Sequence, residues 1–379
     1  MKNVIVIGGG LVGMPMAMDL SLDKDIRVTL ADRDLQKLAM IKSQPGIATL
    51  ELDVTDRHNL KRAVEPFDLV VLAVPGHLGF GALKTILESG KTVVDISFFP
   101  EDLFELDAIA KKHGVTAICD MGVAPGMSHL LSAHAMKRLD ETNKVRIYVG
   151  GLPKVREWPW EYKAVFSPAD VIEEYTRPAR LVRDGKLIIL PALSEPEILS
   201  FPSIGELEAF NSDGLRSLVK TLKVPDMAEK TLRYPGHIDK IKVMQSSGFF
   251  CKEAILINQQ PISPFEFTSG LLFDAWKMKE GDEDITVMKI EVSGIKEGKS
   301  HSIVYDLYDE YDPASGIHSM ARTTGYAATM TARALLKGMF ADPGVFPPEL
   351  LAKEPGLVEF ILEGLRQRNV IYQETIKQE

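Results

Sequence analysis

Cysteine is nearly absent: the 379 residues hold two, Cys119 and Cys251. Two cannot build a disulfide framework, and the pair suits a reducing compartment. Neither has a CxxC partner and no HExxH occurs, so no metal site is expected. No apolar run approaches membrane-spanning length, and no basic-then-apolar leader precedes the first strand. No lysine- or arginine-rich block stands out against a net charge of −9, which argues against nucleic acid and anionic membranes as partners. Internal repeats, low-complexity stretches and coiled-coil heptads are missing too. A cytoplasmic protein is expected. Its 45% hydrophobic and 26% charged residues suffice for two domains with sizeable cores.

What is present begins at once. The apolar run Val4-Ile5-Val6-Ile7 leads into Gly8-Gly9-Gly10-Leu11-Val12-Gly13. Gly8 suits a tight turn off a strand, Gly10 lets a pyrophosphate approach the backbone, and Gly13 lets a helix pack on the sheet. That helix would turn unpaired N–H groups and its positive dipole end to the phosphates, with Leu11 and Val12 in the same loop. Asp32 ends the second apolar run about 20 residues beyond the last glycine, where a carboxylate accepts hydrogen bonds from a ribose. A carboxylate there favours a free 2′-hydroxyl over a 2′-phosphate, so NAD is expected over NADP; the neighbouring Arg33 is the feature that fits a phosphate or stacks on adenine.

From residue 3 to about residue 120, short apolar runs alternate with helical patterns. Strands are expected at Asn3–Gly8, Ile26–Ala31, Ile47–Leu52, Leu69–Val74, Thr92–Ile96 and Val115–Cys119, with helices between them such as Leu35–Ser43, Arg57–Val64, Leu78–Ser89 and Leu103–His113. This spacing predicts βαβ units, a doubly wound parallel sheet of the Rossmann type. Beyond Asp120 strand runs and helices mix, which predicts an α+β second domain with a large mixed sheet. The expected division is residues 1–124, 125–319 and 320–379, the last a helical segment returning to the first domain.

Several motifs resemble one family. Val94-Asp95-Ile96-Ser97 and Asp120-Met121-Gly122-Val123-Ala124-Pro125-Gly126-Met127 resemble the saccharopine dehydrogenase-like superfamily. Val149-Gly150-Gly151-Leu152-Pro153, Glu173-Glu174-Tyr175-Thr176-Arg177-Pro178-Ala179-Arg180, Leu232-Arg233-Tyr234-Pro235-Gly236-His237 and Arg322-Thr323-Thr324-Gly325 resemble its lysine 6-dehydrogenase branch. The resemblance implies a homodimer, a small amino-acid substrate, and NAD-dependent oxidative deamination of the ε-amino group of L-lysine. A saccharopine-type imine reductase using NADP is the alternative on the same scaffold. A dinucleotide-binding sensor without turnover is the alternative outside catalysis.

Ligands of an open α/β sheet lie beyond the carboxyl ends of its strands. There stand Asp53-Val54, suited to the adenine, Val74-Pro75, Ser97 and Gly122, expected to border the cofactor, and Asp95 and Asp120, candidates with His237 for catalysis. Asp95 and Asp120 end apolar strands, where a carboxylate needs a partner or a ligand, or else caps a helix. Gly126 before a helix is an entrance for a substrate carboxylate. Oxidising a primary amine requires removing a proton from a group of pKa about 10.4, steadying an iminium, and fixing the α-carboxylate with a cation. Arg233, Arg216 and Arg180 are candidates for that fork. His237 has the pKa range for proton transfer near neutrality, or else is a structural hydrogen-bonded histidine. Tyr162 and Glu208 are candidates for the pocket lining. The Trp158/Trp160 loop reads as a dimer contact or else a pocket wall, and Cys119 as a buried strand residue.

Overall fold

The structure is a computed structural model that describes residues 1–42, 44–165, 168–202 and 204–378. The expected end of the second helix at Ser43 lies outside the described residues. The chain forms two compact units, Met1–Leu139 with Met320–Tyr372, and Asp140–Ser319 with the residues from Gln373 on.

In the first unit β1 (Lys2–Ile7), α1 (Gly13–Ser21), β2 (Ile26–Asp32), α2 (Leu35–Ile41), β3 (Ile47–Glu51), α3 (Arg57–Val64), β4 (Leu69–Leu72), α4 (Gly76–Glu88), β5 (Thr92–Asp95), α5 (Asp107–His113) and β6 (Thr116–Ile118) alternate as the periodicity predicts. The expected helix Leu103–His113 is split: Asp102 caps a 3-10 turn at Leu103–Leu106, and α5 follows. All pairings in this sheet are parallel, in the order β3-β2-β1-β4-β5-β6. Central strands covered on both faces read as unbroken apolar runs, and Val4 to Ile7 are buried throughout. One core contains Ile5, Ile7, Val70, Leu72 and Val93 from the strands and Leu60, Leu83, Ile86 and Ala110 from α3, α4 and α5. The order reverses direction between β1 and β4, which puts the glycine loop at the topological switch point.

α6 (Met127–Met136), expected beyond a boundary at residue 124, belongs to this first unit; eight of its ten residues are buried. The second unit is built on β7 (Glu141–Pro153), α7 (Pro168–Thr176), β8 (Ala179–Arg183), β9 (Lys186–Leu190), β10 (Glu197–Phe201), β11 (Gly205–Asn211), α8 (Leu218–Thr221), β12 (Asp226–Arg233), α9 (His237–Ser246), β13 (Ile255–Ile257), β14 (Gln260–Ile262), α10 (Pro264–Trp276), β15 (Asp284–Lys296) and β16 (Lys299–Glu310). Its large sheet is mixed, with β12 and β7 parallel and the pairs β10–β11, β11–β12, β12–β8, β8–β9, β7–β15 and β15–β16 antiparallel. This is the expected fold class: a Rossmann-type sheet plus a second domain on a large mixed sheet.

The chain then supplies α11 (Ser319–Leu336), β17 (Gly344–Phe346), α12 (Pro348–Leu351), α13 (Leu357–Arg366) and β18 (Tyr372–Gln378). β17 pairs with β6 as the seventh strand of the parallel sheet, and β18 extends the mixed sheet beside β16. Neither strand was expected in a segment read as helical. α11 is locked to α1 by charge: Arg333 donates from Nη1 to Asp19 Oδ2 (2.6 Å) and from Nε to Asp23 Oδ2 (2.8 Å). Arg368 Nε donates to the other oxygen of Asp19 (2.6 Å) and Thr329 donates to Oδ2. Asp19 is 5% exposed, and removing one partner of a buried ion pair strands the other charges. Asp19→Ala is expected to cost the first unit about 3–5 kcal/mol in urea denaturation. A loss below about 1 kcal/mol, the range of surface pairs, would show that the network adds nothing.

Candidate functional site

In the first unit the glycine loop fits a dinucleotide. Gly8 has φ 110°, and a Cβ built there would meet the Ala73 carbonyl oxygen at 2.3 Å. A Cβ on Gly13 would meet Gly8 O at 1.8 Å, so both positions demand glycine. A Cβ on Gly10 meets nothing within 4 Å among the described residues, which leaves room for a pyrophosphate against the backbone. Val12, at the N-cap of α1, makes no side-chain cap hydrogen bond; Met14 N–H is bonded to Gly10 O (3.2 Å) and Pro15 has no N–H, so the loop amides up to Gly13 are the ones able to meet an anion, and Leu11 among them is exposed.

Asp32 does something other than wait for a ribose. Its Oδ2 accepts from Gly9 N–H (2.6 Å), its Oδ1 from Asp34 N–H (2.8 Å), and Lys37 Nζ lies 3.8 Å away. The carboxylate clamps the glycine loop, while the adjoining Arg33 is exposed. Asp53 is turned onto Thr55, whose N–H and hydroxyl hold its pKa below the usual carboxylate range; Arg33 adds to the lowering. Val54 and Val74 lie against the core, and Pro75 is the N-cap of α4.

At the ends of β5 and β6, Asp95 accepts from Ser97 N–H (3.1 Å) and from the Ser97 hydroxyl, and its carbonyl accepts from Met121 N–H (3.0 Å). Asp120 is 2% exposed and holds φ 58°, an uncommon conformation for a residue with a side chain. Gly122 N–H donates to Pro125 O, and a Cβ on Gly126 would meet Gly122 O at 1.9 Å, so residues 122–126 close into a tight turn.

The second unit gathers four of the expected residues around one buried guanidinium. Arg233, 2% exposed, donates from Nε to Tyr175 Oη (3.0 Å), from Nη1 to Leu232 O (2.9 Å) and from Nη2 to Glu174 Oε2 (2.7 Å). Its carbon lies 4.5 Å from the ring centre of Tyr162. Burial opposes this charge, and Tyr175, Tyr162 and Glu174 hold it on. Tyr175 passes the interaction on: its hydroxyl lies 3.0 Å from His237 Nε2, and His237 Nδ1 lies 2.9 Å from Trp160 O. A carbonyl only accepts, so Nδ1 carries the hydrogen and Nε2 accepts from Tyr175. Trp276 packs on Trp160, Tyr162, Tyr175 and His237, and Glu208 Oε2 accepts from Gly236 N–H (3.1 Å) just before the histidine.

This geometry corrects the reading of His237 as a near-neutral proton carrier. The ring is 1% exposed, and burial, then the charge of Arg233, lower its pKa to about 3. Burial likewise pushes Tyr175 up to about 12 and Tyr162 well above its usual value. The cluster is electrostatically settled across the neutral range. Arg180 is also corrected as a free fork: it grips Asp213 with Nε (2.7 Å) and Nη2 (2.9 Å). Arg216, buried with φ 42°, sits where its charge acts on buried Glu229. Trp160 is a wall of the aromatic cluster, while Trp158 on the same loop is exposed. Cys119 is buried.

The missed residues are Glu174, Tyr175, Trp276 and Glu229. Val171, Ile172 and Tyr175 face inward at helical spacing on α7, the one signal that could have flagged the tyrosine. Among the described residues no cluster of three or more His, Cys, Asp or Glu is poised for a metal, and no helix is long and apolar enough to cross a membrane.

Two family models cover the chain. Residues 4–118 match the saccharopine dehydrogenase NADP binding domain, and residues 122–371 match the saccharopine dehydrogenase C-terminal domain. The chain belongs to the saccharopine dehydrogenase family. It is a dinucleotide-binding oxidoreductase of the amino-acid dehydrogenase type. Saccharopine dehydrogenase [NADP(+), L-glutamate-forming] of Saccharomyces cerevisiae is 24% identical, with 98% of each chain covered. Carboxyaminopropylagmatine dehydrogenase of Synechocystis sp. is 22% identical over 98% of each. The solved apo structure of the yeast saccharopine dehydrogenase superposes with a TM-score of 0.83 at 20% identity over the whole of both chains, a likeness of fold.

The expectation of NAD is overturned here. The matched domain is an NADP-binding one, and the fungal saccharopine dehydrogenases among this family member's relatives are named for NADP(+). The residue that fits a 2′-phosphate is Arg33, exposed beside an Asp32 whose carboxylate is held by the amides of Gly9 and Asp34.

Arg33→Ala is therefore expected to weaken NADPH about tenfold, the worth of a charge-assisted contact, and NADH little, by fluorescence titration. Equal losses would remove Arg33 from the 2′-phosphate. For His237, NMR should find a neutral Nδ1–H ring from about pH 8 to pH 5. With the folded pKa below the unfolded one, its contribution to stability is full above about pH 6.5 and is lost as pH falls toward 3. A ring that titrates above pH 6 would refute the buried relay.

Proposed function

We propose that this chain is an NADP-dependent dehydrogenase of the carbon–nitrogen bond at the ε-nitrogen of a lysine-type amino acid, with L-lysine as the first substrate. The observation that carries the reading is the match of both halves of the chain to one family of amino-acid dehydrogenases. Bound NADP+ supplies the hydride acceptor. The loop amides up to Gly13 would hold its pyrophosphate, and Arg33 would hold its 2′-phosphate. Asp120, buried where β6 ends, is the candidate to take the proton of the amine. The Cε–H bond gives up a hydride, the amine loses a proton, and water adds to the iminium to release ammonia and the semialdehyde.

Arg233 already serves Glu174 and Arg180 serves Asp213, carboxylates of the protein itself, and Arg216 acts on buried Glu229. That favours a substrate with few carboxylates. The second reading is saccharopine, whose secondary amine would release glutamate in the same hydrolysis. It is favoured by the names of the relatives.

The test is NADP+ reduction followed by absorbance at mildly alkaline pH, where more ε-amine is neutral, given its pKa of about 10.4. Turnover with L-lysine and release of ammonia supports the first reading, and turnover with saccharopine alone replaces it with the second. No reduction with either, while NADPH still binds, would overturn both. Asp120→Asn should lower kcat about 100-fold or more while NADPH affinity stays, and an undiminished kcat would exclude Asp120 as the base.

A further inference from the structure

The motif Arg322-Thr323-Thr324-Gly325 lies on α11, far in sequence from the glycine loop, yet it is part of the first unit. Two consecutive residues of it touch the start of α1 at the glycine loop and the turn at Gly122, expected from the sequence to border the cofactor. A Cβ built on Gly325 would fall 2.9 Å from Met16 Cγ, 3.5 Å from Val12 Cγ1 and 3.6 Å from Val12 O, so α11 rests directly on the start of α1. A Cβ built on Gly122 would fall 3.2 Å from Thr324 Cγ2. The threonine turns its hydroxyl back toward Met320 Sδ (3.5 Å) and presents its methyl to the turn after β6.

The geometry points to Thr324 and Gly325 as positioning residues for the cofactor: together they set the separation between the glycine loop and the turn at Gly122. The inference rests on the NADP reading above. The amides that receive phosphate are fixed in direction by the first turn of α1, and a shift of a few tenths of an ångström there misaims them. Glycine lets α11 sit this close to that turn, because a Cβ at residue 325 would press on Met16 at 2.9 Å while only touching Val12, and a branched side chain there must displace the methionine. The methyl of Thr324 does the same from the other side, as a spacer against Gly122, which has no side chain of its own. In this arrangement cofactor affinity is set in part by a helix made some two hundred residues after the N-terminal sheet.

The experiment is NADPH binding to the full chain by fluorescence titration, with circular dichroism and thermal melting as checks on folding. Gly325→Val should weaken NADPH about tenfold, and adding Met16→Ala should recover most of it by making room. Thr324→Ser, which deletes the methyl and keeps the hydroxyl, should weaken binding several-fold. Thr324→Val, which restores the methyl and removes the hydroxyl, should regain what serine loses. Should Gly325→Val not fold, the Thr324 pair decides alone. Wild-type affinity in both Gly325→Val and Thr324→Ser would overturn the inference, as would Thr324→Val binding no better than Thr324→Ser. Failure of the wild-type protein to bind NADPH would overturn the cofactor reading instead.

Discussion

A positive charge removed from water sets the terms for the interior of the second unit. Arg233 is 2% exposed, and a guanidinium cannot shed its proton to escape the cost of burial as a lysine or histidine does. Each of its nitrogens therefore needs an acceptor, which fixes Glu174, the Tyr175 hydroxyl and the Leu232 carbonyl in place. Once Tyr175 accepts from Arg233, its own hydrogen goes to His237, and the histidine is left with one tautomer and a neutral ring. The rings of Tyr162 and Trp276 then close over the group. One buried charge thus dictates the protonation of a histidine, the direction of a tyrosine hydroxyl and the packing of an aromatic core.

The first unit follows the same logic with the sign reversed. Asp19 is the buried charge, and Arg333, Arg368 and Thr329 bring three donors to it. Asp32 is a second carboxylate spent on the protein itself, binding the amide of Gly9. In both units ionisable groups at sites suggestive of ligand binding prove to be used in making the site rigid. Rigidity of this kind keeps donors aimed before a ligand arrives.

Much of the fold is legible in the sequence because its causes are local. Gly8 and Gly13 are readable since no Cβ fits at either, and the parallel strands are readable since burial on both faces demands unbroken apolar runs. β17 is not: three residues that pair with β6 carry too short a pattern to announce a strand. The candidate site is legible as a set of residue types and only partly as roles. Arg233 and His237 share one motif, but the pKa of the histidine depends on burial and on Tyr175, 62 positions away. Arg180 looks like an available fork until Asp213, 33 residues on, is seen to fill it. The clamp on Asp32 was hidden for another reason: its partners are backbone amides, which every residue but proline owns, so no side-chain pattern marks them.

The seventh strand of the parallel sheet, and the arginines that neutralise Asp19, come from the far end of the chain. During synthesis the N-terminal strands leave the ribosome first, with a buried aspartate that lacks its counterions and with β6 as an open edge. The long stretch Asp140–Ser319 of the second unit must be translated before Arg333, β17 and Arg368 appear in turn. The dinucleotide-binding unit, first to be begun, is therefore completed only near the end of the chain, and a nascent chain cut short before Arg333 lacks the charges that hold its first helix.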